Sequence, residues 1–410
     1  MTTPTCRACG TDLKHTLVDL GLSPLANSYV PLDHESATDK GYPLHARVCS
    51  ECFLVQVDDV VPPSDIFSHY AYFSSYSSSW VEHARKYAEY ATERLALTKS
   101  SLVVEVASND GYLLQHFVAK DIPVLGVEPA ANVAAEAEKK GVRSLVAFFG
   151  KETAQKIVSD LGHANLTAAN NVLAHVPDIN DFVAGFAEVL ADDGVATFEF
   201  PHLMNLLEKT QFDTIYHEHF SYLSLYAVEK CFVANGLKVF DVEELPTHGG
   251  SLRVWAQKAS GIRQETEALK NLRGKEEAAG INTLACYEGF ETKVQTIRDD
   301  LLSFLKKAKA GGKTVAAYGA AAKGNTLLNY CAINSDLIDF VVDANPHKQN
   351  TLLPGSRIPV HAPEKLKEAK PDYVLILPWN LKNEIMKDVD YVHQWGGQFV
   401  VAVPEVAVIG

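Results

Sequence analysis

Apolar positions change period along the chain. Val81, Ala84, Tyr87, Ala88, Ala91 and Leu95 recur at helical spacing. Beyond them, short apolar runs alternate with helical stretches. The runs predict strands over Leu102 to Val106, Val124 to Glu128, Leu166 to Asn170, Val195 to Phe200, Lys238 to Val242 and Leu252 to Ala256. This order implies a mainly parallel sheet with crossover helices, an α/β fold. Residues 262–310 are rich in Glu, Lys, Ala and Leu and predict one or two amphipathic connecting helices. Gly311-Gly312 ends them, and a second alternating region follows: Val315 to Tyr318, Ile338 to Val342, Tyr373 to Leu377 and Phe399 to Val403. Residues 1–62 carry little periodicity, predict a small irregular unit, and close at Pro62-Pro63. The expected units are thus 1–62, 63–261 with a helical lead-in, the connector 262–310, and 311–410.

The irregular unit holds two CxxC knuckles, Cys6/Cys9 and Cys49/Cys52, separated by 39 residues. A two-residue spacer turns both thiolates toward one ion, and two knuckles complete a tetrahedral shell. All four positions are thiols, so none is left open for water, and the expectation is a structural Zn²⁺ site.

The strand Leu102 to Val106 runs into Ala107-Ser108-Asn109-Asp110-Gly111 and then an apolar helix. Gly111 permits close backbone approach, and the helix start turns its amides toward an anionic group. Glu128 ends the next strand 17 residues beyond Gly111, where a carboxylate can accept from both ribose hydroxyls. Glu105, Ala107, Asn109, Asp110, Gly111, Glu128, Pro129 and Asn171 are the candidate cofactor residues. A dinucleotide site is the rival. Its fingerprint needs three turn glycines and this turn has one. The shortage favours a ligand without pyrophosphate, S-adenosylmethionine.

Asn170 to His175 follows a strand, at the edge where an α/β sheet binds its ligands. Farther on, Tyr216-His217-Glu218-His219 places four titratable groups inside apolar sequence and continues to Tyr222. Burying them is costly unless they serve a polar site. His217, Glu218 and His219 also have the look of metal ligands, although no matching further set follows. Gly249-Gly250 opens a strand in which Arg253 could pair an anion, or merely turns the chain. In the last region, Val315 to Tyr318 leads into Gly319-Ala320-Ala321-Ala322-Lys323-Gly324-Asn325. Small residues admit a diphosphate, Lys323 supplies charge, Asp343 can accept from a sugar hydroxyl, and Lys348 and Trp379 lie at the same edge.

Formal net charge is -14, which argues against nucleic-acid binding. Seven cysteines with no secretory segment argue against a disulfide framework, and no apolar run reaches membrane-spanning length. The expectation is a cytoplasmic monomer without membrane or nucleic-acid partners.

The motifs CxxC…CxxC, YFSSYS, EVASNDGYLL, NNVLAHV, YHEHFSYLS, GGSLRVW and GAAAKGNTLLN occur in an order that resembles the sugar C-methyltransferases, over essentially the whole chain. The resemblance is greatest to enzymes acting at C3 of dTDP-linked 4-keto-6-deoxy sugars. It implies a zinc-binding N-terminal domain, a central class I methyltransferase domain and a C-terminal Rossmann-like domain that holds the nucleotide sugar. It also implies that Tyr216, Glu218, His219 and His175 surround the reacting carbon. His219 would be the base, oriented by Glu218, with His175 or Tyr216 holding the enolate oxygen. Tyr70, Tyr72, Tyr76, Tyr222, Arg253, Lys323, Asn325, Asp343, Lys348 and Trp379 are the candidate substrate residues. A non-catalytic sugar-binding module, or an enzyme for a different keto-sugar carrier, are the alternatives.

Overall fold

A computed structural model describes residues 4–34, 39–58, 60–62 and 73–409. Its strands form three sheets.

The N-terminal unit is not irregular. His15–Ser23, Tyr42–Val48 and Val55–Val57 form an antiparallel sheet. Register shifts between Thr16 and Val18 and between Asp19 and Leu22 break the in–out alternation, which hides the strand from a period-2 reading. The fourth strand is Ser221–Tyr222, from far along the chain, with Ser221 opposite Gln56 and Tyr222 opposite Val55.

The central sheet has seven strands, in the order Leu237–Leu245, Ser251–Lys258, Leu190–Pro201, Ala164–Asn170, Val103–Val106, Val124–Val127 and Ser144–Leu145. Ser251–Lys258 alone runs antiparallel to its neighbours. The carboxyl ends of Val103–Val106, Val124–Val127 and Ala164–Asn170 therefore share one edge. Buried apolar side chains cover both faces of the sheet, as a parallel sheet with crossover helices requires.

Two helices, Glu267–Ala278 and Phe290–Ala310, connect to the third sheet. The second buries Phe290, Val294, Ile297, Leu301, Leu305 and Ala308, one stripe at three- and four-residue spacing. The stripe packs into a core shared by the N-terminal strands and the C-terminal sheet. That last sheet has eight strands, centred on the parallel set Val315–Tyr318, Val341–Val342, Tyr373–Ile376 and Gln398–Val401. One edge strand is Val30–Pro31, which comes from the N-terminal unit and pairs antiparallel with Thr351–Leu352. The N-terminal unit is thus built into both neighbours.

Candidate active site and zinc centre

The four cysteine sulfurs lie within 4.8 Å of one another, with Cys6 and Cys52 3.5 Å apart and Cys9 and Cys49 3.5 Å apart. Four thiolates about 2.3 Å from one Zn²⁺ would have sulfur–sulfur edges of about 3.8 Å, so the set fits the ion. Gln56 Nε2 donates to Cys6 Sγ at 3.2 Å, and the amides of Glu51 and Cys52 approach Cys49 Sγ at 3.4 and 3.5 Å, supporting the thiolates from outside. Among the described residues no other group of His, Cys, Asp and Glu is arranged to hold a metal. His217 is no ligand: its Nε2 reaches Pro43 O at 3.2 Å, and its ring packs edge-on to Tyr42.

At the shared edge of the central sheet, Ala107, Asn109 and Gly111 all have positive φ, at 55°, 49° and 76°. A Cβ on Gly111 would lie 3.0 Å from Val142 and 3.1 Å from Ala137, so turn and packing both select glycine there. Glu128 accepts from Asn109 N at 3.0 Å and Ala130 N at 2.9 Å, fixing the carboxylate beside the loop, with half-buried Pro129 between. Burial pushes the Glu128 carboxyl up, and those two amides oppose it. Asp110 is held by Lys140 at 3.0 Å. Glu105 is fully buried beneath the loop, against the Tyr112 hydroxyl, and burial holds its carboxyl well above the usual range. The turn Ser74–Tyr76 sits over this loop: Ser74 N donates to Asn109 Oδ1 at 2.9 Å and Ser75 N to Asp110 Oδ2 at 3.3 Å. Tyr76, on that turn, is exposed. Tyr70 and Tyr72 lie outside the described residues.

The histidines of the candidate catalytic cluster do converge. The His175 and His219 rings are 4.6 Å apart, and Tyr216 lies 4.0 Å from His219. His219 Nδ1 is 2.9 Å from Thr214 O and its Nε2 is 2.8 Å from the Tyr216 hydroxyl. A carbonyl can only accept, so Nδ1 carries the proton and Nε2 is the basic nitrogen. Burial and then the neighbouring His175 hold His219 well below the usual histidine range. Burial likewise brings His175 down to about 4, against its bond from Nδ1 to Glu218 O at 2.7 Å. Both shifts favour the neutral ring.

One expected role is corrected here. Glu218 does not orient His219; Thr214 O and Tyr216 do. The Glu218 carboxylate instead accepts from Asn27 Nδ2 at 3.1 Å. Tyr222 is buried, with its ring 6.2 Å from His219. Asn171 reaches His248 Nε2 at 3.2 Å, which adds a third histidine that sequence reasoning missed.

Arg253 is not an anion receptor. It stands directly opposite Glu199 on one neighbouring strand and Glu243 on the other. Its terminal nitrogens lie 2.7 Å from Glu199 and 3.2 Å from Glu243, and its guanidinium covers the Tyr87 ring. Burial pushes the Glu199 carboxyl up, but His83 and Arg253 outweigh that and hold it at about 2. The arginine is committed before any ligand arrives.

In the C-terminal unit, Gly319 has φ 90°, and a Cβ there would lie 2.4 Å from the Pro378 ring. Asp343 accepts from Ala320 N at 2.7 Å and Asn345 N at 2.8 Å, while Lys348 reaches Ala320 O at 2.7 Å. Lys323 donates to Asn380 at 2.7 Å, lies 4.5 Å over the Trp379 ring, and faces the buried Asp213. Two candidates make contacts across the seams between units. Asn325 is buried and donates to Ala26 O at 2.6 Å. The Trp379 indole donates to Asp213 at 2.7 Å, pinning the C-terminal unit to the segment that carries Thr214. Burial raises that Asp213 carboxyl to about 6.

Three family models match in succession: a zinc-binding domain at residues 6–67, a methyltransferase domain at 80–242 and a C-methyltransferase C-terminal domain at 246–404. The C-methyltransferase NovU of Streptomyces niveus is 37% identical over 404 residues, covering 98% of this chain and 96% of that protein. The chain belongs to the C-methyltransferases. It is an S-adenosylmethionine-dependent enzyme with a class I methyltransferase fold and a zinc-binding N-terminal domain. Solved structures are more distant. The magnesium protoporphyrin IX methyltransferase of Synechocystis with bound SAH is 13% identical, with a TM-score of 0.35 over 44% of this C-methyltransferase and 83% of that chain. A Clostridium acetobutylicum S-adenosylmethionine-dependent methyltransferase is 12% identical, with a TM-score of 0.35 over 43% and 92%. Likenesses this slight add nothing to the family assignment. No helix among the described residues of the enzyme is long and apolar enough to cross a membrane.

Proposed function

We propose that this C-methyltransferase acts on the carbon beside the keto group of a nucleotide-linked 4-keto-6-deoxy sugar, at C3 of a dTDP-linked sugar, in deoxysugar biosynthesis. The observation that carries the reading is the half-buried pair His175 and His219, with a tyrosine hydroxyl on the basic nitrogen of His219. Removing a proton next to a ketone needs an unprotonated base and a donor for the forming enolate oxygen. In this reading the Tyr216 hydroxyl exchanges its bond to His219 for one to the keto oxygen, and Nε2 then takes the proton. His175 donates from Nδ1 to Glu218 O, so its neutral ring presents an accepting Nε2 and is a second candidate base rather than a donor to the oxygen. Bound S-adenosylmethionine supplies the electrophilic methyl group, and the Ala107–Gly111 loop with Glu128 would hold it. The Ser74–Tyr76 turn then covers the loop and excludes water. The Gly319–Lys323 loop, with Asp343 and Lys348, would take the diphosphate and sugar of the nucleotide. The enzyme is read as a monomer with no nucleic-acid or membrane partner, in line with its charge of -14.

The deciding experiment incubates the enzyme and S-adenosylmethionine with a panel of nucleotide-linked keto sugars and seeks the mass of one added methyl group. Gain on 4-keto-6-deoxy sugars alone supports the reading; gain only on another class, or none, refutes it.

Two substitutions separate the two ligand sites. Glu128→Ala removes a charged acceptor worth about 1.5–3 kcal/mol, so calorimetry should show S-adenosylmethionine binding weakened roughly 10- to 100-fold. Unchanged affinity would remove Glu128 from the cofactor site. Lys323→Ala should raise the KM for the nucleotide sugar about tenfold or more, the loss of one charge-assisted contact, with cofactor affinity little changed. Equal weakening of both ligands, or of neither, would overturn this division between the two domains.

A further inference from the structure

Residues 26–31 leave the zinc-binding unit and are pinned along their length to the C-terminal unit. Ala26 O accepts from Asn325, the Tyr29 hydroxyl donates to Ala320 O, and Val30–Pro31 pairs with Thr351–Leu352. Between the first two anchors sits Asn27. It is exposed, yet its side-chain amide donates to Oε1 of Glu218 at 3.1 Å, across 191 residues of sequence. Glu218 is buried, and its second oxygen, Oε2, has no hydrogen-bond partner among the described residues. Its main-chain oxygen is the acceptor for His175 Nδ1. One residue of the zinc-binding unit therefore holds the carboxylate whose peptide fixes a catalytic histidine.

We propose that Asn27 is a positioning residue for methyl transfer, fixing the Glu218 side chain beside the histidine pair from the zinc-binding unit. The inference rests on the deprotonation reading given above. The main-chain amides of Glu218 and Asn27 also support the carboxylate, so loss of the Asn27 side-chain amide removes the side-chain donor on Oε1 and lets the buried carboxylate turn. The anchors on either side hold the Asn27 backbone, so the amide cannot drift from Glu218. Its exposure means that truncating the side chain opens no core cavity, so the fold should survive.

The test compares Asn27→Ala and Asn27→Asp with the wild type. A thymidine-diphosphate-linked 4-keto-6-deoxyhexose serves as substrate, and its C3 proton is followed as it washes out into heavy water. Asn27→Ala should lower kcat and wash-out at least about tenfold, the loss of one hydrogen bond to a charged group. KM for the sugar, affinity for S-adenosylmethionine, zinc content and melting temperature should stay at wild-type values. Asn27→Asp keeps the shape but replaces the donor with a second carboxylate facing Glu218. It should lose at least as much. Wild-type wash-out in Asn27→Ala, or activity retained by Asn27→Asp, would overturn the assignment while leaving the deprotonation reading standing. A fall in which KM and melting temperature move together with kcat would also overturn it, in favour of a purely structural contact. If the wild type itself neither methylates nor exchanges the substrate, the deprotonation reading fails, and the Asn27 assignment with it.

Discussion

Replacing His219 by Asn is expected to lower kcat about 10²- to 10⁴-fold, the usual contribution of a positioned general base. Asparagine can still accept from the Tyr216 hydroxyl, so the local fold should survive, but it takes up no proton. The C3 proton should therefore stop washing out into heavy water, even where methyl transfer is not being followed. Cofactor affinity should hold, because the Glu128 loop is built on other strands. The pH profile supplies a second readout. Burial first, and the neighbouring His175 next, lower the His219 pKa well below its ordinary value. A base with a lowered pKa stays competent as pH falls, so wild-type kcat/KM should be flat from pH 8 through 6.5 and decline only below that. An acid limb centred at or above 6.5, or wash-out at the wild-type rate in His219→Asn, would move the base to His175 or Tyr216.

What the sequence made legible follows from how far each feature reaches along the chain. The cysteine knuckles, the Ala107–Gly111 turn and the Gly319–Lys323 turn are local, each written in a few consecutive residues, and each is found where it was expected. The clustering of His175 with His219 was legible only through the family resemblance, and the structure brings the two rings 4.6 Å apart. The errors are long-range. Arg253 is a lone cation in sequence; only register places Glu199 and Glu243 opposite it and uses up its charge. Asn325 follows a run of small residues that suggests a phosphate site, yet it lies in the helix Ala322–Tyr330 and its side-chain amide is taken by Ala26 O, from a segment about 300 residues earlier. Glu218 precedes His219 in the chain, but adjacent residues here do not face each other, and the orienting acceptor is the Thr214 carbonyl. The N-terminal strands were invisible for a local reason: bulges break the alternation that a period-2 reading needs.

That shared architecture changes what loss of zinc should do. A zinc site that is only structural, as the four thiols imply, would on loss of a thiolate at Cys6 or Cys49 destabilise the N-terminal unit and leave the chemistry untouched. The fold gives a different expectation. Cys49 follows directly on Tyr42–Val48, and Cys52 precedes Val55–Val57 by three residues, so the ion closes the turn between two paired strands. Val55 and Gln56 in turn pair with Tyr222 and Ser221, three and two residues beyond His219. A structural zinc site contributes on the order of 10 kcal/mol to the folding of a small domain. Cys49→Ser should therefore reduce zinc from close to one ion per chain to nearly none, and free the strand that backs the catalytic segment. Turnover should fall with it, by about as much as in His219→Asn, whereas S-adenosylmethionine should still bind, because Val103–Val106 and Val124–Val127 belong to a separate sheet. Elemental analysis, hydrogen exchange over residues 42–57, and calorimetry with the cofactor read the three effects independently. A zinc-free variant with wild-type turnover would show that the strand pairing between the N-terminal sheet and Ser221–Tyr222 is dispensable for the chemistry.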